Sequence, residues 1–103
     1  MSLNDLKKQV DSWINQQDIK YWEPLSILAA IAEENGELAR EINDRFGGRI
    51  KKETDDTKDI GDELADIVFN IICLANSQGI NLDEAWQRKM DKCHGRDKDR
   101  FKK

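Results

Sequence analysis

Apolar residues recur at helical spacing along most of the chain. Leu3, Leu6, Val10 and Trp13 mark one face of a helix predicted over Ser2 to Gln17. Residues Asp18 to Glu23 read as a connection, and Pro24 suits the first position of a second helix. That helix is predicted to end near Phe46, where Gly47-Gly48 supplies a stop signal. Residues Arg49 to Thr57 are polar and charged and read as a flexible loop. A third helix is predicted from Lys58 to Gln78. Gly79 ends it, Ile80 makes a hydrophobic contact back, and Asn81 caps a fourth helix, with Glu84 three residues later. The fourth runs from Leu82 to Cys93 or His94. The fold class is therefore all-α: four helices on one chain, expected to oligomerise into a helical bundle with a carboxylate metal site.

Projecting the middle helices at helical pitch shows where their acids fall. Ile27, Ala30, Glu34, Glu37 and Glu41 occupy one band of the second helix. Asp59, Glu63, Asp66 and Asn70 occupy one band of the third, continuing into Leu74. The acids extend or border core-facing stripes. A solvated acidic face would instead pair with Lys or Arg four residues on. Glu34, Glu37, Glu63 and Asp66 have Leu38, Glu41, Ile67 and Asn70 there.

Glu34/Glu37 and Glu63/Asp66 are each spaced i, i+3, so each pair forms a pincer about 5–6 Å apart at Cβ. Two facing pincers make an oxygen-lined site for a hard divalent cation. Four carboxylates drawn together repel unless protonated, solvated apart or neutralised. Oxygen ligands favour Mg²⁺, Mn²⁺ or Ca²⁺ over zinc, and Mg²⁺ commonly shares its shell with substrate phosphates. Asn70, next along the same band, is a candidate substrate contact.

Length and charge narrow the reading. At 103 residues the chain is one domain, residues 1–103, with 97–103 a candidate flexible tail. The run Ile67 to Ala75 is apolar almost all the way round, which predicts burial on several sides and a subunit interface. A homodimer or homotetramer is expected. Net charge of −4 argues against general nucleic-acid binding. No membrane association is expected, and a cytoplasmic location is the default. Cys73 reads as a small core residue and His94, the one histidine, as a surface residue.

A polyphosphate substrate also needs cations. Lys89, Lys92 and Arg96 fall at i, i+3 and i+7 on the fourth helix if it extends that far. The same charges also suit a helix C-terminus. Lys51 and Lys52 in the loop read as solvated. Core packing is expected for Trp13 and Trp86, whereas Trp22 is the candidate for stacking a base. Gly36 inside a helix has two readings, a close neighbour or plain exposure.

Taken together, the chain resembles the MazG-like nucleotide pyrophosphohydrolases, all-α NTP pyrophosphatases grouped with dimeric dUTPases and dCTP pyrophosphatases. The carrying motifs are Glu33-Glu34-x-x-Glu37, 25 intervening residues, then Glu63-x-x-Asp66. Tyr21-Trp22-Glu23-Pro24, Cys73-Leu74-Ala75-Asn76 and the basic C-terminal segment extend the likeness, most closely to short single-domain bacterial members of the YpjD type. Cys93 stands where some relatives carry Asn. The resemblance implies Mg²⁺, with Mn²⁺ as the alternative, bound by Glu34, Glu37, Glu63 and Asp66. It implies αβ cleavage of a nucleoside triphosphate to monophosphate and pyrophosphate. Glu33 and Glu34 would be the catalytic acids, with Glu33 orienting or deprotonating water. Trp22, Asn70, Lys89, Lys92 and Arg96 would contact substrate. The alternatives are a dUTP- or dCTP-specific pyrophosphatase on the same scaffold, and a non-catalytic helical interaction module.

Overall fold

The computed structural model describes residues 1–47 and 60–95. They form α1 (Leu3–Gln16), α2 (Pro24–Phe46), α3 (Ile60–Gln78) and α4 (Leu82–His94). The predicted ends of α1, α2 and α4 hold to within a residue. The Arg49–Thr57 loop, the predicted start of α3 at Lys58, Asp59, and the segment from Arg96 onward lie outside the described residues.

Local chemistry sets most of the helix ends. Ser2 and Asp5 form a reciprocal cap on α1: Ser2 Oγ accepts from the Asp5 amide at 3.0 Å, and Asp5 Oδ2 accepts from the Ser2 amide at 2.9 Å. Those contacts hold the Asp5 carboxyl below its ordinary range. α2 opens on Pro24 and closes at Gly47. At the end of α3, Gly79 adopts φ 63°, a left-handed conformation that glycine enters without Cβ strain. The Ile80 amide then reaches back to the Ala75 carbonyl at 2.9 Å, and the Gly79 amide to that of Asn76 at 3.3 Å. Asn81 caps α4 by accepting from the Glu84 amide at 3.2 Å.

Helix α3 is central, packing against α2 on one side and α1 on another, while α4 packs chiefly on α1. Asp83 of α4 makes that last junction. Its Oδ1 accepts from the Leu3 and Asn4 amides at 3.0 and 3.4 Å, placing a carboxylate on the positive end of α1. Asn4 Nδ2 donates to Asn81 Oδ1, and Lys7 Nζ donates to the Ile80 carbonyl.

Among the described residues, Ile14, Ile27, Ile72, Cys73 and Ala75 are the buried apolar ones. Cys73 is therefore in the core, as read, and His94 is exposed. Two tryptophans depart from expectation. Trp86 is 56% exposed, because α4 covers little beyond α1. Trp13 is 47% exposed and meets Phe69 edge-on, with ring centroids 6.1 Å apart. Gly36 has nothing within 4 Å of where a Cβ would stand, so it takes the exposed reading. The apolar run of α3 is only partly covered: Val68, Phe69 and Ile71 remain substantially exposed, as does Leu64 before it. Among the described residues, no helix is long and apolar enough to cross a membrane.

Candidate metal centre and adjoining cavity

The α2–α3 packing brings three of the four predicted ligands together. Glu34, Glu37 and Glu63 each offer a carboxylate oxygen, all within 4.8 Å of one another. Two oxygens on opposite sides of one Mg²⁺ or Ca²⁺ stand about 4–5 Å apart, so this spread matches a shared ion. Glu63 is 1% exposed, Glu34 half-buried and Glu37 exposed, so the cluster runs from the core to solvent. Asp66 is half-buried and lies outside this tightest group. Its charge nevertheless acts on Glu34.

The electrostatics of Glu34 test whether a cation fits. Its carboxyl is pushed above the ordinary range, first by burial, then by a hydrogen-bonding contact with Glu63, then by the charges of Asp66, Glu37 and Glu63. Its Oε2 is buried and accepts no hydrogen bond. A carboxylate oxygen withdrawn from water without a donor is costly to leave bare. Surrounded by further acids, it is relieved either by a proton or by a cation, and the donor set fits a cation. The all-oxygen donor set selects a hard ion.

Glu33 is exposed beside this group, on the solvent side of α2. Glu41, one turn beyond Glu37, is also buried at 6% exposure. Lys89 and Lys92 are exposed on α4, and neither forms an ion pair with the carboxylates within the described residues. Arg96 lies outside those residues.

A cavity of about 220 Å³ lies between the α1–α2 connection and α3. Trp22 and Asn70 both line it, so two predicted substrate contacts share one cavity, Trp22 from the connection and Asn70 from α3. Asn70 sits one turn beyond Asp66, and its Nδ2 donates to the Asp66 carbonyl at 3.1 Å. The other walls are mainly Trp13, Ile27, Phe69 and Cys73. Burial pushes the Cys73 thiol up, so it stays protonated and packs as an apolar group. Lys20 and Tyr21 also reach this cavity. Lys20 carries no sequence signal for this place beyond its position next to Tyr21-Trp22.

A cluster of acids on two packed helices of an all-α chain fits a metal-dependent hydrolase of nucleotide anhydrides, and comparison with known proteins shows that class. The MazG nucleotide pyrophosphohydrolase domain matches residues 22–101. The chain belongs to this family and is a nucleotide pyrophosphohydrolase. Enzymes of the family depend on a divalent metal. The uncharacterized protein YpjD of Bacillus subtilis (strain 168) is 45% identical over 100 residues, spanning 97% of this chain and 90% of YpjD. The crystal structure of Bacillus subtilis YpjD superposes with a TM-score of 0.81 and 41% identity, over 93% of this chain and 96% of that one. The Bacillus-conserved MazG protein, a nucleotide pyrophosphohydrolase, superposes at 0.71 with 38% identity, over 89% and 88% of the two chains.

Proposed function

We propose that the substrate is a nucleoside triphosphate, cleaved between the α and β phosphates in a Mg²⁺-dependent reaction. The observation that carries this reading is the bare, buried Oε2 of Glu34 beside Glu37 and Glu63. Such a site repels a polyphosphate unless cations stand between them. Glu34, Glu37 and Glu63, completed by Asp66, would hold Mg²⁺, with Mn²⁺ as the alternative. When bound, a divalent ion there neutralises phosphate charge and polarises the α-phosphate.

The chain's own residues divide the remaining work. Glu33 orients a water towards the α-phosphorus and takes its proton. The new P–O bond forms as the bond to the bridging oxygen breaks, and pyrophosphate leaves with that oxygen. Glu34 serves this step as the second acid of the site, through the ion it would hold. Trp22 stacks on the base at the cavity, and Asn70 contacts it from α3. Lys89, Lys92 and Arg96 supply positive charge for the β and γ phosphates. Residues 1–103 work as one domain, in a homodimer or homotetramer that covers the exposed apolar residues of α3.

The deciding experiment is a panel of NTPs and dNTPs with Mg²⁺, in which pyrophosphate and orthophosphate are read separately. Pyrophosphate and the monophosphate are the expected products. Orthophosphate as the sole primary product overturns αβ cleavage. A rate confined to dUTP or dCTP moves the enzyme to the specialised alternative.

A further inference from the structure

We propose that Asn70 is the specificity-determining residue of the cavity, reading the base through its side-chain oxygen as a hydrogen-bond acceptor. This rests on the reading of the cavity as the base site.

Asn70 is placed where the two halves of the site join. It follows Asp66 by four residues, about 6 Å along the helix axis. Asp66 thus precedes it by one turn of α3, and Asn70 itself lines the aromatic cavity. An amide is the one side chain here that could turn either its oxygen or its nitrogen towards a ligand. The contact with Asp66 removes that choice. A backbone carbonyl only accepts, so the group donating to it at 3.1 Å is Nδ2, and Oδ1 takes the other side of the amide.

The rest of the cavity offers little competing polarity. The Tyr21 hydroxyl is already committed, donating to Asp11 and accepting from Asn76. The Cys73 thiol is a weak donor. Lys20 carries only donors. Among the side chains of the lining, Asn70 Oδ1 is thus the strong acceptor with no hydrogen bond of its own to another group of the described residues. Facing a base in an apolar surround, an acceptor rewards an N–H and penalises its absence, because it would then be buried unpaired.

The inference names a ligand class: nucleotides whose base turns an N–H donor to the α3 wall, such as the exocyclic amino groups of adenine and cytosine. The test pairs ATP with purine riboside triphosphate, and CTP with pyrimidin-2-one riboside triphosphate. Each analogue lacks the only N–H of its base. Pyrophosphate release with Mg²⁺ gives kcat/KM for each. In the wild type, the donor-bearing member should lead by about 10- to 100-fold in at least one pair. In Asn70→Leu, close in size and apolar, that ratio should fall to near one. Asn70→Ala is the second variant, and Mg²⁺-dependent thermal melting checks that both remain folded.

A merely structural Asn70 would lower both members of a pair together and leave the ratio untouched, which overturns the inference. So does a wild-type ratio near one in both pairs. If the wild type releases pyrophosphate from none of the four compounds but from another member of the NTP and dNTP panel, the base assignment fails and the triphosphate reading stands; release from no triphosphate of the panel defeats both. Hydrolysis with an unchanged ratio defeats the base assignment alone.

Discussion

Asn76 Nδ2 donates to the phenol oxygen of Tyr21 at 2.9 Å, across 55 positions of sequence. The same amide nitrogen donates to the Lys7 carbonyl at 3.0 Å, and the Tyr21 hydroxyl donates a hydrogen bond to Asp11 Oδ1 at 2.8 Å. One tyrosine thereby fastens the α1–α2 connection to both α1 and α3. Its neighbour Trp22, 65% exposed, is held at the cavity by this anchorage and not by burial.

Tyr21→Phe removes two of these bonds and leaves the ring. The expected loss is about 1–2 kcal/mol, measured by urea unfolding with an unchanged slope. The phenol also has a pH signature. Burial, then the hydrogen bond to Asp11, raise it from 10.0 to about 12. A group whose folded value is raised stabilises fully below its unfolded value. The wild-type advantage over Tyr21→Phe should therefore hold below pH 10 and vanish as pH rises through about 12. An advantage that stays constant across this window would mean the phenol is not held by these contacts.

Glu37→Gln or Asp66→Asn should abolish pyrophosphate release while the helices remain folded. In EDTA each variant should melt at or above the wild-type temperature, since one repelling charge is gone. Added Mg²⁺ should stabilise the wild type, by about 2.7 kcal/mol at a concentration 100-fold above Kd, and the variants far less. Near-normal turnover in both variants at saturating Mg²⁺ would remove these residues from the site.

Helix ends were legible because they depend on neighbours in sequence. Pro24, Gly47 and the run Gly79-Ile80-Asn81 each act within one turn. The gathering of Glu34, Glu37 and Glu63 followed from the same periodicity, since the acids continue stripes that had to be buried. The relative place of Asp66 depends on how α3 is rotated against α2, and no spacing in one helix fixes that. Contacts such as Asp83 on the Leu3 amide, 80 positions apart, leave no periodic trace. Trp86 was misread for a related reason: its apolarity suggests burial, but burial also needs a partner element, and α4 packs chiefly on α1.

The exposed apolar residues of α3 lead to a test of assembly. Ile71 is 42% exposed in the single chain, and Leu64 and Val68 are about as open. Sedimentation at micromolar concentration should find a dimer or larger species. Ile71→Asp should dissociate or unfold it, because an unpaired charge in an interface costs about 3–5 kcal/mol. A stable, active wild-type monomer would contradict this assignment.

The basic face of α4 carries the remaining prediction. Lys89 and Lys92 are exposed and form no ion pair with the carboxylates among the described residues. Their positive charge suits either a helix C-terminus or the outer phosphates of a substrate. The two roles separate by ligand. If Lys92 meets the β or γ phosphate, Lys92→Ala should weaken binding of a non-hydrolysable NTP analogue and spare the monophosphate, which lacks those groups. A charge-assisted contact is worth about 1.5–3 kcal/mol, or roughly ten- to a hundred-fold in affinity. Calorimetric titration of both ligands with Mg²⁺ reads the difference. An equal loss for both would place Lys92 on the α-phosphate or in support of the fold. No loss for either would leave it as charge at the end of α4.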